Sequence, residues 1–185
     1  QAGGLFFLVP LLQRAGLPEY AARLPAHESD AFPWQVLRLA LRHARIADDD
    51  TLALALEEFP ETETPLGRWL ISANRSALKL AGLNLRQLVR RTAEVNLTPT
   101  HVDLFFRAAD ADIRIRRAGL DLDPGCVPWL GRIVRQIAAG QVDGSAAGVV
   151  QLDPVIVLIL WVGQGPAVRC HDLVDHDGRP GGADR

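Results

Sequence analysis

The spacing of apolar residues changes near residue 94, and this change constrains the fold more than any other feature of the sequence. Before it, apolar residues recur every three or four positions, which is typical of helices that bury one face. The clearest stripe consists of Leu66, Leu70, Ala73, Ala77 and Leu80. After it, apolar and polar residues alternate, which is typical of a half-buried strand. The change predicts an α+β fold with a mainly α-helical amino-terminal part.

Caps and helix-breaking residues predict where the longer helices begin and end. Residues 30–46 form the clearest helical segment, in which Asp30 can cap the first turn and Pro33 lies where a missing N–H costs nothing. A second long helix is predicted over residues 65–81, and Gly82 is expected to end it.

The residues after the change of spacing predict one small antiparallel β element. Val102 and Leu104 alternate with polar residues, and Ile113 and Ile115 alternate with arginines. The Ala-Asp-Ala-Asp sequence between these two segments favours a turn. We therefore expect an antiparallel hairpin around residues 95–117, half-buried on one face.

These patterns divide the chain into three regions. Residues 1–93 are predicted to be helical, and residues 94–134 to contain the hairpin and a loop stiffened by Gly and Pro. Residues 135–185 lack a clear pattern, so a divergent or disordered tail is expected there. Because the chain contains no Met, we also expect it to be a piece of a longer reading frame.

The charged residues are distributed unevenly along the chain. Residues 48–63 contain seven acids and no base, whereas residues 68–117 contain ten bases and four acids. Such asymmetry can steer association or hold two segments together, although solvated helix faces are the plainer interpretation. The net charge of −2 is unlike that of a general nucleic-acid-binding protein, which is usually strongly basic.

Candidate metal ligands occur only near the end of the chain. His171, Asp175 and His176 could ligate a divalent cation. Their spacing matches no defined zinc pattern, and a Gly-rich stretch follows them. The sequence therefore predicts no metal site, no cofactor and no catalytic residue. A metal-dependent hydrolase that uses these three residues remains an alternative.

Candidate interaction residues lie after residue 112. Arg114, Arg116 and Arg117 are expected to form a charged strand face, and Trp129 follows in the loop stiffened by Gly and Pro. Arginine-rich strands can bind phosphates or an acidic partner. They can equally pair with Asp103 across the hairpin. The absence of interleaved aromatic residues here favours such pairing or a protein interface over nucleic acid. A regulatory helical module that binds nucleic acid through residues 68–117 remains a second alternative.

The apolar runs of the sequence are too short to predict a membrane span. The longest late run, Val155–Val162, has eight residues, whereas about 20 are needed to cross a bilayer. The sequence therefore predicts a soluble protein with no membrane span, and it leaves the oligomeric state open.

Four segments carry a resemblance to a known family. They are GGLFFL at residues 3–8, THVDLFF at 100–106, IRIRRAGLDLDPG at 113–125 and VPWLGRIV at 127–134. Together they resemble a poorly characterised bacterial family encoded beside extracellular contractile injection systems, the phage-tail-like particles. The chain departs from the family pattern at Cys126, where an aromatic residue is expected, and after Val134, where a short aromatic strand ending is expected.

The resemblance has functional implications. It implies a non-enzymatic assembly or interaction component with protein partners in such a particle. It also implies a location in the bacterial cytoplasm or within the assembled particle. No cofactor and no catalytic residue are carried over from the family.

Overall fold

Helices occupy the first part of the chain and a four-stranded sheet occupies the second part in the computed structural model, which describes residues 2–59 and 65–139. The predicted α+β class is confirmed. The helices are α1 (Val9–Arg14), α2 (Leu17–Ala21), α3 (Ala26–Ser29), α4 (Phe32–His43), α5 (Thr51–Glu57), α6 (Gly67–Ala81), α7 (Leu85–Val89) and α8 (Ile113–Arg117). The strands are β1 (Glu94–Leu97), β2 (His101–Arg107), β3 (Gly125–Val127) and β4 (Arg132–Ala139). Short 3₁₀ helices cover Gly3–Leu8, Ala108–Asp110 and Pro128–Leu130.

The two longest helices begin and end close to the predicted positions. Pro33 lies in the first turn of α4 as expected, but Ala31 precedes the helix in place of Asp30 and no side chain caps it. Gly82 ends α6 with a left-handed φ of 65°, a conformation that glycine adopts without the steric cost of a Cβ.

An antiparallel hairpin is present, but it joins β1 to β2 and not, as predicted, β2 to residues 113–117. β1 pairs with β2 in antiparallel register, with Val95 opposite Leu104. Residues 113–117 form the helix α8 rather than a strand, because the side chain of Asp112 accepts a hydrogen bond from the Arg114 N–H at 3.0 Å and caps a helical turn. The alternating Ile-Arg-Ile-Arg sequence fits both structures, and the cap favours the helix.

The sheet is mixed rather than purely antiparallel. Its strand order is β1-β2-β4-β3, in which β2 and β4 are parallel and β3 and β4 are antiparallel. β4 continues to Ala139, so regular structure extends beyond residue 134, where the expected tail begins.

One hydrophobic core joins the helices to the sheet. Side chains from the first 3₁₀ helix, such as Phe6, pack in the same cluster as Phe32 of α4, Leu88 of α7 and Val102 of β2, and all four are fully buried. At about 25 cal/mol per Å², burial of such side chains is the main favourable contribution to folding. Among the described residues, no helix is both long enough and apolar enough to cross a membrane.

The packing of the first 3₁₀ helix on α7 predicts the effect of a small substitution. A Cβ at Gly4 would overlap the carbonyl oxygen of Leu88, whereas a Cβ at Gly67, the first residue of α6, meets no atom within 4 Å. We expect Gly4→Ala to lower the free energy of unfolding by about 2–3 kcal/mol. The control Gly67→Ala should leave it unchanged or raise it by about 0.5 kcal/mol. Urea denaturation followed by circular dichroism measures both, and equal stability of the two variants would contradict the close packing.

Candidate functional site

A shallow groove lined by arginines runs along the surface where α7 and α8 meet. It consists of two adjoining concavities of about 580 Å³ and about 470 Å³ that share Arg90 and Arg91. We call it the arginine groove and define it by Arg86, Arg90, Arg91, Asp110, Asp112, Ile113 and Arg114. A concavity of this size can receive several side chains of a partner.

The local structure of α7 directs its arginines outward. Asn84 and Gln87 form a capping box, in which each side chain accepts a hydrogen bond from the other residue's backbone N–H, at 2.8 and 3.0 Å. Leu85 and Leu88 are buried, so the face of the helix that carries Arg86 remains exposed. The short helix is therefore fixed at its start and along its apolar face.

Asp112 orders the centre of the groove. Its carboxylate accepts hydrogen bonds from Arg114 Nε at 3.0 Å and Nη2 at 2.8 Å, and from Arg91 Nη2 at 2.7 Å. The side chain of Asp112 is only 11% exposed. The hydrogen bonds from Arg114, helped by Arg91, hold the pKa of Asp112 well below its ordinary range. Asp112 therefore stays ionised and holds two arginine side chains in place.

The other two arginines of the groove keep their hydrogen-bonding capacity. Arg86 and Arg90 are exposed, and their side chains make no hydrogen bond or ion pair with the described residues. Four arginines against Asp110 and Asp112 leave the groove with an excess of positive charge. This arrangement can bind carboxylate or phosphate groups, since each guanidinium presents a planar fork of N–H donors.

The residues predicted for interaction do not form one site. Arg114 lines the groove, Arg116 pairs with Asp121 through Nε at 2.5 Å, and Arg117 is exposed on α8. They lie on a helix, not on the expected strand. Trp129 is half-buried in the third 3₁₀ helix and packs against the core, and it does not line the groove.

Three of the four groove arginines were not among the residues predicted for interaction. Arg86, Arg90 and Arg91 belong to the basic region 68–117, and their spacing at the end of a helical segment was the available signal. Their proximity to Arg114 had no local signal. It follows from a chain path that leaves α7, forms the hairpin and returns through Asp112 to pair with Arg91, 21 residues away.

The predicted weak metal ligands His171, Asp175 and His176 lie outside the described residues. Within residues 2–59 and 65–139, no group of three or more His, Cys, Asp or Glu side chains is arranged to hold a metal ion.

Comparison of the chain with protein-family models, curated proteins and solved structures gives no match. The resemblance to the contractile-injection family therefore stays a prediction. The chemistry of the arginine groove supplies the basis for a functional proposal.

The ion pairs of Asp112 predict a pH-dependent contribution to stability. We expect Asp112→Asn to lower the free energy of unfolding at neutral pH by about 1–2 kcal/mol. Asparagine keeps an oxygen that can cap α8, but it lacks the negative charge that pairs with Arg91 and Arg114. The folded-state pKa of Asp112 lies below the ordinary value of 3.8. This stabilisation is therefore complete well above pH 3.8 and is lost as the pH falls through the folded-state pKa.

The test is urea denaturation of the wild type and variant across acidic and neutral pH. The difference between them should shrink as the pH falls below 3.8. The control Asp48→Asn changes an exposed acid that pairs with no described residue and should have little effect at any pH. A constant difference at all pH values would show that the charge of Asp112 is not responsible.

Proposed function

We propose that the chain is a non-enzymatic interaction component that binds an acidic surface of a partner protein in the arginine groove. One observation carries this proposal: Arg86 and Arg90 are exposed and have no partner among the described residues, and they lie beside two arginines that Asp112 already holds in place. Carboxylates match the guanidinium fork, and ordered donors lose less conformational entropy on binding.

The composition of the groove favours a protein partner over nucleic acid. Asp110 and Asp112 contribute carboxylates to the same concavity, so the groove differs from the uniformly basic patch that is typical of nucleic-acid-binding surfaces. Within the described part of the chain, no aromatic side chain that could stack on a base lines the groove. Ile113 is 60% exposed at its wall and offers an apolar contact. Protein interfaces commonly combine an apolar centre with a charged rim.

The family resemblance supports a particular setting for this interaction. We propose that the partner belongs to a contractile, phage-tail-like particle and that the chain acts in the bacterial cytoplasm or in the assembled particle. Binding in such an assembly would depend on complementary charge, which mainly sets the association rate and the choice of partner.

A native-host pull-down with the tagged full-length protein tests both parts of the proposal. We expect sheath, tube or baseplate proteins to co-purify, and Arg86→Glu/Arg90→Glu to reduce their recovery about tenfold or more. The matched control is Arg14→Glu/Arg23→Glu, which makes the same charge change at two exposed arginines outside the groove. Its recovery should equal that of the wild type.

Other outcomes would each contradict a different part of the proposal. Equal loss in the groove variant and the control would assign the effect to net charge rather than to the groove. Recovery of nucleic acid, with binding that weakens steeply as salt rises, would favour the nucleic-acid alternative. Groove-dependent capture of an acidic protein unrelated to a particle would refute only the proposed setting.

A further inference from the structure

The chain carries a second charged surface, of opposite sign to the arginine groove. It lies at the end of α5 and comprises Leu54 and Glu57 of the helix and Glu58, which directly follows it; we call it the acidic patch. Positions three and four apart share one face of a helix, so both carboxylates lie beside Leu54. Leu54 is 44% exposed, and both glutamates are exposed as well.

The packing of α5 fixes the acidic patch on the surface. Asp50 caps the helix by accepting a hydrogen bond from the Leu52 N–H at 3.0 Å. Leu52 and Leu56 are buried, and α5 packs mainly on α4. Just beyond the helix, the Phe59 ring stacks on Trp34 with centroids 5.2 Å apart. The apolar face of α5 is thus buried against the rest of the chain, whereas the face that carries Leu54 remains exposed.

The two charged surfaces do not neutralise each other within one copy. No hydrogen bond or ion pair between described residues involves the side chains of Glu57, Glu58, Arg86 or Arg90. The helix α7 packs on the first 3₁₀ helix, on α6 and on α4, and α8 packs on α6, whereas α5 packs mainly on α4. The charge asymmetry of the sequence therefore does not join these two surfaces within the described part of the chain.

The two surfaces are complementary in more than charge. Each presents one large exposed apolar side chain, Leu54 in the acidic patch and Ile113 in the groove. Carboxylates flank Leu54, whereas Arg90 and Arg91, together with Asp110 and Asp112, line the concavity that contains Ile113, and Arg86 and Arg114 add positive charge in the adjoining one. Contact between the surfaces would bury both apolar side chains and place opposite charges around them, as in known interfaces.

We propose that the arginine groove of one copy binds the acidic patch of a second copy, so that the chain self-associates. This inference rests on the proposed function, because it names a second copy of the chain as the acidic partner. The contact joins two different surfaces. It therefore either occurs twice in a two-fold dimer or repeats from copy to copy into a ring or longer array.

Sedimentation velocity on the full chain tests the inference through a charge exchange. The wild type should associate, and the association should weaken as ionic strength rises from about 0.05 M to about 0.5 M. Arg86→Glu/Arg90→Glu alone and Glu57→Arg/Glu58→Arg alone should each weaken it about tenfold or more, because like charges then face each other. An equimolar mixture of the two variants should associate again, because each reversed surface then meets an opposite charge.

Matched controls separate this contact from a change in net charge. Arg14→Glu/Arg23→Glu and Glu19→Arg/Asp30→Arg reverse exposed charges outside both surfaces, and each should associate like the wild type. If a reversed variant loses its helical circular dichroism, Arg86→Gln/Arg90→Gln and Glu57→Gln/Glu58→Gln replace it. Each should weaken association, and their mixture should partly restore it, because the intact groove of one variant can still bind the intact acidic patch of the other.

Two results would overturn the inference. One is a wild-type chain that stays monomeric at about 100 μM, a concentration at which even weak contacts are populated. The other is association that the variants do not weaken or that mixing does not restore. A monomer that captures particle proteins through its groove would overturn this inference and keep the proposed function. Self-association without such capture would keep the inference and refute the proposed setting.

Discussion

The close approach of the first 3₁₀ helix to α7 is the contact on which the rest of the structure depends. All residues from Gly3 to Leu8 are buried, and the Gly3 N–H donates to the carbonyl of Arg91 at 2.7 Å. Because Gly4 has no Cβ, its backbone can lie against Leu88. This contact fixes the buried face of α7, the outward direction of Arg86 and the path of the chain into β1. The groove is thus a consequence of core packing.

Asp112 connects that packing to the surface chemistry. The same carboxylate caps α8 and joins Arg91 at the end of α7 to Arg114 on α8. An exposed arginine normally loses much rotamer freedom when it binds a ligand. Arg91 and Arg114 have already lost part of that rotamer freedom. Arg86 and Arg90 keep guanidinium N–H donors that make no hydrogen bond with the described residues. The groove therefore combines ordered positive charge with arginines that can receive a partner.

Local signals in the sequence predicted the parts of the fold that depend on local physics. The end of α6 at Gly82 and the alternation of Val102 and Leu104 in β2 are of this kind. The segment at residues 113–117 was assigned to the wrong structure because five residues with alternating Ile and Arg satisfy both periods. The parallel pairing of β2 with β4 could not be predicted from local sequence, because it joins strands that are distant in sequence. The proximity of the groove arginines likewise depends on segments that are distant in sequence. The sequence therefore predicted only one of the four, Arg114, as an interaction residue.

The chain has a small net charge but carries two charged surfaces of opposite sign. A value of −2 over 185 residues suggests little electrostatic character, yet Glu57 and Glu58 make no ion pair with Arg86 or Arg90 among the described residues. Exposed charges without partners cost little while water solvates them, so they persist on the surface of a single copy. Their interaction with a complementary surface is screened beyond about 10 Å at moderate salt. Such charges therefore act at short range, where they select which surfaces make contact, while the apolar side chains beside them supply the buried area.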